Sequence, residues 1–389
     1  MVDKKRLGRE IHLKQRPSGF VTENDFELVD VEVPELKKEG EFLVRNTWMS
    51  IDPFMRIYMV KGTKIMPQIP LNEALKGGCI GQVIESKSNK FKVGEYVKAN
   101  FGWREYWVSQ DIDNGKDITK VDPKIAPLQY FLGLLGITGI TAYVGLFKIG
   151  ELREGQDTVF VSSAAGGVGS IVCQLAKIKG CRVVGSCGSD EKVRWLLDEL
   201  KVDYAFNYRK LGEDNISSEL KKVCPNGIDL YFDNVGGKHL EAAIDNMNTF
   251  GRLVLCGTTS QYNYDNNNTS SDKSNGFSTH PAATSSSSGP SNLSLAVSHR
   301  LKLQGFIWSD HNDILNEFNA SMSRWISEGR IKWKERIFVG LEYAPKAFVS
   351  LFKGESLGKT LVKLVPHSEE HSDYTILKSN YYVKNLWYR

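Results

Sequence analysis

The sequence lacks the residue patterns that mark several common functional classes. Its six cysteines, at positions 79, 173, 181, 187, 224 and 256, include no C-x-x-C pair. In a chain of this length, scattered cysteines are typical of free thiols in a reducing compartment. The seven histidines show no metal-ligand spacing with cysteine or carboxylate, so we expect no metal site. No Gly-x-Ser-x-Gly motif is present, which leaves a hydrolase without a candidate nucleophile.

Charge and hydropathy are also free of extremes. A net charge of +4 is too mild to indicate a nucleic-acid partner, although it suits a phosphate-bearing ligand. The N-terminus has no apolar segment of the kind found in signal peptides. Glycines interrupt the apolar stretch near residues 130–149 and Lys148 ends it, so we interpret it as a buried helix rather than a membrane span. We expect a cytoplasmic globular protein without a membrane partner.

Two kinds of sequence pattern follow one another along the 389 residues. Between residues 7 and 109, short apolar runs such as 41–46 and 96–100 are separated by Gly, Pro and Lys, as in a β-rich domain. From residue 157, short apolar strands alternate with amphipathic helices, which favours a doubly wound parallel sheet. The predicted strands are 158–162, 181–185, 203–207, 228–233, 252–257 and 303–308, and the clearest helices are 167–179 and 190–200, the latter capped by Ser189.

Two segments depart from these patterns. Residues 265–294 are rich in Asn and Ser and have few large apolar side chains, so most of this insertion is predicted to be a disordered loop, either hanging free or draped over a cleft. The tail, residues 366–389, contains five aromatic side chains, which predicts that it packs on the body or on another subunit. These aromatics are Tyr374, Tyr381, Tyr382, Trp387 and Tyr388.

A glycine-rich turn follows the predicted strand 158–162. Ala164-x-Gly166-x-x-Gly169 has the spacing of the dinucleotide-binding fingerprint, with alanine in place of the first glycine. A pyrophosphate must approach the backbone amides at the helix N-terminus closely, and a Cβ at Gly166 would obstruct it. Gly169 allows the helix to pack against the strand. The sequence therefore predicts a dinucleotide site.

The end of the second strand distinguishes NAD from NADP. NAD sites usually carry Asp or Glu there to hold the ribose 2′-hydroxyl, whereas residues 184–189 read VGSCGS. Lys192 lies just inside the next helix, and Tyr208 and Arg209 follow the third strand. An ammonium and a phenol hydroxyl are suitable ligands for a 2′-phosphate, although Lys192 also fits a solvated helix position. The pattern favours NADPH.

Without a metal, a carbonyl substrate must be polarised by hydrogen bonds. The candidate phenols near the predicted cleft are Tyr58, Tyr143 and Tyr262. Tyr262 follows the fifth strand at its carboxyl end, where open α/β sheets bind their ligands. A tyrosine that merely packs at a loop entrance is the alternative.

Six stretches together form a specific combination. They are SIDPFMR (50–56), LGLLGITGITAY (132–143), VSSAAGGVG (161–169), GCRVVG (180–185), YFDNVGG (231–237) and CGTTSQYN (256–263). In combination they resemble the zinc-independent medium-chain dehydrogenase/reductases of the leukotriene B4 12-hydroxydehydrogenase/prostaglandin reductase type, which include 2-alkenal and other double-bond reductases. The resemblance runs from about residue 10 to residue 363 and is broken by the Asn/Ser-rich insertion.

The resemblance implies an α/β fold with a GroES-like β-rich catalytic domain, residues 1–130 and 338–389, around a doubly wound Rossmann NADPH-binding domain, residues 131–337. It implies NADPH-dependent reduction of the carbon–carbon double bond of α,β-unsaturated aldehydes or ketones, with hydride added to the β-carbon. Members of this family are commonly dimers, so a homodimer is one possibility here, and the aromatic tail would either support or block such an interface.

The resemblance also implies the site, residue by residue. Gly166, Gly167, Val168 and Gly169 would hold the pyrophosphate, and Lys192 and Tyr208 the 2′-phosphate. Lining residues would be Asn234, Cys256, Gly257, Thr258, Ser260 and Tyr262, with Phe306, Ile307 and Trp308 near the nicotinamide. Ser356 stands where relatives commonly have a cofactor-binding asparagine. Tyr262 would position the substrate carbonyl or stabilise the enolate. Phe54 replaces a tyrosine of many relatives, and Tyr58, one helical turn on, is the candidate substitute for its hydroxyl.

Two other functions stay open at this point. One is a quinone reductase or an NADP-dependent alcohol dehydrogenase on the same fold. The other is a catalytically idle NADPH-binding protein that acts through its loop or tail. Initial rates on enones, quinones and saturated alcohols would separate these functions.

Overall fold

A computed structural model describes residues 6–60, 62–63, 67–110, 118–263 and 289–364. The aromatic tail predicted to pack on the body lies outside the described residues, as does the insertion up to residue 288. The elements below therefore belong to the part of the chain from Arg6 to Leu364, with those gaps.

The N-terminal region is built mainly from strands, as the short apolar runs predict. Strands β1 and β2 pair antiparallel as a separate two-stranded sheet, and the others join a larger sheet. Inward-facing positions of β3 and β4 are almost entirely inaccessible to solvent, so these two strands form the middle of that sheet. The elements are β1 Leu7–Leu13, β2 Phe26–Glu32, β3 Glu41–Ser50, α1 Met55–Val60, β4 Cys79–Ser86, β5 Tyr96–Ala99, β6 Tyr106–Gln110 and β7 Thr119–Val121.

A second region alternates strands with helices. It comprises α2 Ile137–Tyr143, β8 Thr158–Val161, α3 Gly167–Ile178, β9 Arg182–Cys187, α4 Asp190–Arg194, β10 Tyr204–Asn207, α5 Tyr208–Leu211, α6 Ile216–Val223, β11 Ile228–Asp233, α7 Gly237–Asn246, β12 Met247–Leu255, α8 Leu295–Ser298, β13 Lys302–Gly305 and α9 Leu315–Ser327. π-helical turns continue α2 over Val144–Ile149 and α4 over Trp195–Glu199.

These six strands form one parallel sheet in the order β10-β9-β8-β11-β12-β13. Numbered within the sheet, the order is 3-2-1-4-5-6, the doubly wound arrangement of dinucleotide-binding domains. The central strand β8 is apolar on both faces, and its Val159, Phe160 and Val161 are completely buried, as expected where helices cover both sides of a sheet. The predicted fold class is confirmed.

The last strands return to the N-terminal region. After β14 Glu335–Val339 and α10 Ala344–Phe352, strand β15 Lys359–Lys363 inserts between β14 and β3. It runs antiparallel to β3, with Leu361 opposite Ser50. The loop before β15 touches the glycine-rich turn, because the Gly358 N–H donates to the Ala165 carbonyl over 2.9 Å. The domain boundary predicted at residue 338 falls inside β14, since pairing of that strand begins at Glu335.

Several predicted boundaries differ from the structure. The helix expected over 190–200 changes to a π-helical turn after Arg194, and the strand expected over 303–308 ends at Gly305. The C-terminal end of the insertion is ordered, which corrects the predicted disorder there: the Ser291 N–H donates to the Glu241 carboxylate over 2.9 Å on α7. None of the helices in the described ranges has the length and apolar character needed to cross a membrane.

Candidate active site

Three neighbouring strands end at one edge of the parallel sheet, and their last residues are tied together. Beyond β8, the Ser162 hydroxyl accepts a hydrogen bond from the Asn234 N–H over 2.9 Å, and the Asn234 side-chain amide donates to the Ser162 carbonyl over 2.8 Å. Just after β12, the N–H groups of Cys256 and Gly257 both donate to the Asp233 carbonyl, over 2.9 and 3.1 Å. The structure thus brings the predicted lining residues Asn234, Cys256 and Gly257, which follow β11 and β12, together with Ser162 at the end of β8.

Asp233 organises this edge and was not among the predicted site residues. Its carboxylate accepts hydrogen bonds from the Tyr231 hydroxyl over 2.7 Å and from the Gly236 N–H over 2.8 Å. Burial raises the pKa of Asp233, and these hydrogen bonds lower it in part. An acid that ends an apolar strand three residues before a Gly-Gly pair was the available signal, because such an acid commonly caps the backbone of the turn that follows.

The segment after β12 folds back over the turn that follows β11. The Ser260 hydroxyl donates to the Val235 carbonyl over 2.6 Å, and the Thr259 hydroxyl donates to the Asn234 carbonyl over 3.0 Å. Thr258 lies against Gly236, where an added Cβ would come within 3.2 Å of the Thr258 methyl. Tyr262 follows this packed segment, two residues after Ser260.

The glycine-rich turn forms the N-terminus of α3, which Gly166 caps. A Cβ on Gly169 would lie 2.3 Å from the Ser163 carbonyl oxygen, so the third glycine of the motif is required by helix–strand packing. At Gly166 a Cβ would approach Ser163 only to 3.1 Å. The need for glycine at that position therefore comes chiefly from the space above the helix N-terminus, where backbone N–H groups bind anions. Gly167 and Val168 form the first turn of α3.

A cationic corner, formed by Lys192, Arg209 and Arg336, lies at the end of β9. The Lys192 ammonium donates to the Gly354 carbonyl over 2.7 Å, and the Arg209 guanidinium donates to the Lys353 carbonyl over 3.0 Å. Burial lowers the pKa of Lys192, and the positive charges of Arg209 and Arg336 lower it further. The Arg336 guanidinium donates to the Glu355 carboxylate over 3.3 Å. Lys192 and Arg209, whose charges are met here by backbone carbonyls, are suited to a multiply charged anion such as a phosphate.

Tyr208 completes this corner. An added Cβ on Gly188 would lie 3.4 Å from the Tyr208 hydroxyl and 3.2 Å from Arg209 Nε, so both side chains flank the end of β9. Sequence reasoning selected Lys192 and Tyr208 but missed Arg336. This arginine lies in β14, far along the chain, and only the C-terminal return brings it to the corner.

Two of the three candidate phenols meet beside the strand ends. Burial raises the pKa of Tyr262 to about 12, the Thr258 N–H lowers it, and the nearby Cys256, Tyr58 and Asp233 groups raise it further. Tyr58 is 9 % exposed on α1 and packs edge-on against Phe54, with ring centroids 6.0 Å apart. The Tyr262 hydroxyl lies beside Gly257, where an added Cβ would come within 3.1 Å of it, and Tyr58, from the β-rich region, is near enough to raise the pKa of Tyr262.

The third candidate, Tyr143, is not in this cleft, which corrects the expectation. Its side chain is 3 % exposed and lies in the interface between α2 and α9. The hydroxyl donates to the Glu317 carboxylate over 2.7 Å, and the ring packs against Phe318 and Trp325. Its hydrogen-bonding capacity is therefore used within the core, since a buried phenol needs a partner there.

The remaining predicted residues lie around the same edge. Phe306 and Trp308 follow β13 and pack partly against the core, whereas Ile307 between them is 40 % exposed. The Ser356 hydroxyl accepts a hydrogen bond from the Thr360 hydroxyl over 2.9 Å, in the loop that touches the glycine-rich turn.

Other features of the molecule lie elsewhere. A cavity of about 330 Å³ lies between the β1–β2 pair and β6 and contains none of the predicted site residues. Among the residues that the structure describes, no group of three or more His, Cys, Asp or Glu side chains is placed to hold a metal ion.

Known proteins are similar in sequence to this chain over most of its length. Residues 9–121 match the family described as the N-terminal domain of oxidoreductase, and residues 167–327 match the family described as zinc-binding dehydrogenase. Prostaglandin reductase 1 of Bos taurus is 40% identical over 355 residues, which cover 90% of this chain and 97% of the relative. The NADP(+)-dependent 2-alkenal reductase of Nicotiana tabacum is 35% identical over 358 residues, which cover 91% of this chain and 96% of the relative.

A solved structure matches the fold as well. The crystal structure of CurA in complex with NADPH from Vibrio vulnificus superposes with a TM-score of 0.80 at 37% sequence identity. The match covers 92% of this chain and 99% of that chain. The similarity therefore includes both the β-rich region and the parallel sheet.

Proposed function

This chain belongs to the zinc-independent medium-chain dehydrogenase/reductases, and from that membership we propose that it reduces the carbon–carbon double bond of α,β-unsaturated aldehydes and ketones with NADPH. The observation that carries the proposal is the Tyr262 hydroxyl, which lies beside Gly257 just after β12, with Tyr58 near enough to raise its pKa. The 2-alkenal reductase relative uses NADP(+) by its name, which supports both the substrate class and the cofactor.

The residues present fit NADPH on two counts. The N-terminus of α3 offers backbone N–H groups for the pyrophosphate, and Gly166 leaves space above them. Lys192 and Arg209, now bonded to the carbonyls of Gly354 and Lys353, would hold the 2′-phosphate together with Tyr208. When bound, NADPH supplies the hydride that adds to the β-carbon of the substrate.

The chain's own contribution to the reaction is electrostatic. Because burial raises its pKa to about 12, the Tyr262 hydroxyl keeps its proton throughout the physiological range. It would donate a hydrogen bond to the substrate carbonyl oxygen, where negative charge develops as the double bond is reduced. A protonated donor that is fixed before the reaction starts stabilises this charge without reorganising solvent.

Tyr58 would assist from the opposite wall. Phe54 has no hydroxyl, and its ring packs edge-on against Tyr58, which fixes the Tyr58 ring in place. In this proposal Tyr58 supplies the hydroxyl that the phenylalanine lacks, and Phe54 supplies an apolar surface for the hydrocarbon part of the substrate. An apolar wall beside a polar anchor is typical of small-molecule sites.

A substrate panel tests this proposal directly. Loss of NADPH absorbance should be fast with 2-alkenals and enones, and slower with quinones, while oxidation of saturated alcohols by NADP should be negligible. The products of the first group should be the saturated carbonyl compounds, identified by mass spectrometry. Faster turnover of quinones would assign the site to a quinone reductase. NADPH binding without turnover on the whole panel would rule out the reductase function.

A further inference from the structure

Arg56 is almost completely buried, although its side chain carries a permanent charge. The residue is 1 % exposed and lies on α1, in the β-rich region. Its Nη2 donates to the Gly19 carbonyl over 2.7 Å, and its Nε donates to Asn263 Oδ1 over 3.0 Å. Burying a guanidinium is costly unless hydrogen bonds replace its water, so these contacts determine where the side chain can lie.

The contact with Asn263 joins two parts of the molecule. Asn263 follows β12 of the parallel sheet and is the residue directly after Tyr262, whereas Arg56 precedes Tyr58 by two residues on α1. The segments that carry Tyr262 and Tyr58 are therefore connected by a charge-assisted hydrogen bond. Such bonds are stronger and more directional than those between neutral groups.

Among the described residues, the segment that carries Tyr262 is also held by hydrogen bonds to the parallel-sheet side. The N–H groups of Ser260 and Gln261 donate to the carbonyls of Val235 and Thr258 over 3.2 and 2.8 Å, on the parallel-sheet side of the segment. Beyond them, Arg56 is the partner that reaches the segment from the other wall of the cleft. Displacing Asn263 would therefore change the position of the Tyr262 hydroxyl relative to Tyr58.

We propose that Arg56 is a positioning residue, which fixes the segment that carries the Tyr262 hydroxyl relative to α1 through its hydrogen bond to Asn263. Arg56 itself does not touch the substrate in this proposal. The inference rests on the proposed reductase function for its effect on turnover, but the contact can also be tested without turnover. A misplacement of a catalytic group by a fraction of an ångström to one ångström is enough to slow a reaction substantially.

The first experiment removes the acceptor and leaves the buried arginine in place. Asn263→Ala should lower kcat on an enal about tenfold and change the KM for NADPH by less than about twofold. Asn263→Asp, which keeps an oxygen acceptor at the same place, should recover most of the lost kcat. Asn292→Ala is the matched control: it removes an amide that donates to the Glu241 carbonyl over 2.9 Å on α7, and it should leave kcat unchanged.

A double-mutant cycle distinguishes positioning from a merely structural role. If Arg56 acts through Tyr262, Asn263→Ala should lower kcat by less than about twofold when Tyr262→Phe is already present. An equal loss in both backgrounds would overturn the proposal, because the effect would then not pass through the Tyr262 hydroxyl. An unchanged kcat for Asn263→Ala in the wild-type background would also overturn it.

Hydrogen exchange provides the readout that does not depend on activity. The amides of Ser260 and Gln261 should exchange faster in Asn263→Ala than in the wild type, while those of β11 exchange at the same rate. Unchanged exchange at these amides would overturn the positioning role. Faster exchange, in a protein that reduces no enal or enone, would support the Arg56–Asn263 contact and refute only the proposed function.

Discussion

Replacing Lys192 with methionine removes the ammonium and keeps the apolar stem. In the structure this ammonium donates to the Gly354 carbonyl over 2.7 Å, beside Arg209 and Arg336. A hydrogen bond to a charged group contributes about 1.5–3 kcal/mol. Since the two arginines remain and the carbonyl competes for the ammonium, the lower half of that range applies. We therefore expect NADPH binding to weaken about ten- to fortyfold.

The assay compares the two nicotinamide cofactors. NADPH and NADH are titrated against the wild type and Lys192→Met, with binding followed by the fluorescence of the reduced nicotinamide. The NADH affinity should change by less than about twofold, because NADH has no 2′-phosphate for Lys192 to bind. The difference between the cofactors should shrink at high salt, which screens the exposed part of the cationic corner. Equal weakening of both cofactors, or an unchanged NADPH affinity, would refute the assignment of Lys192.

Three further predictions concern single positions. Tyr262→Phe should lower kcat about 100-fold with an unchanged KM for NADPH, as steady-state kinetics on an enal will show; an unchanged kcat removes Tyr262 from the mechanism. Burial raises the pKa of Glu335 to about 7, so folding favours its protonated form and stability is lost as pH rises towards 7. Glu335→Gln should abolish this loss, which amounts to about 2 kcal/mol in the free energy of unfolding measured with urea between pH 5 and pH 8. An unchanged dependence of the unfolding free energy on pH would contradict this prediction. Gly169→Ala places a Cβ 2.3 Å from the Ser163 carbonyl and should lower stability by about 2 kcal/mol or more; a Tm equal to that of the wild type would contradict the packing argument.

The sequence predicted the parallel sheet well, because the strand and turn patterns that identify it lie within short stretches of the chain. The apolar run that became β8 and the glycines that begin α3 lie within a dozen residues of each other, so spacing alone identified the turn. The acid-free end of β9 and Lys192 were readable for the same reason. In contrast, Arg336 joins the cationic corner through a strand that returns from far along the chain, and no local pattern contains that information.

Tyr143 is the reverse case, a candidate that the sequence suggested and the structure places elsewhere. A tyrosine at the end of an apolar helix is compatible with a cleft or with a core, and the choice depends on which helix packs against it. The partner is α9, whose Glu317 lies 174 positions away in the chain and accepts a hydrogen bond from the Tyr143 hydroxyl. The contact between Arg56 and Asn263 escaped prediction for the same reason, although both residues lie in stretches that the family resemblance had already drawn attention to. The homodimer stays a prediction.

The position of β15 also bears on how the protein is synthesised. All six strands of the parallel sheet come from one stretch of chain, Thr158 to Gly305, so that sheet can assemble as soon as this stretch leaves the ribosome. The larger N-terminal sheet, which begins with β3, must wait for Lys359–Lys363 before its Trp48–Ser50 edge is paired. An unpaired edge is a template for association with other chains. The larger N-terminal sheet is therefore completed only after the parallel sheet, and its Trp48–Ser50 edge stays unpaired until β15 is translated.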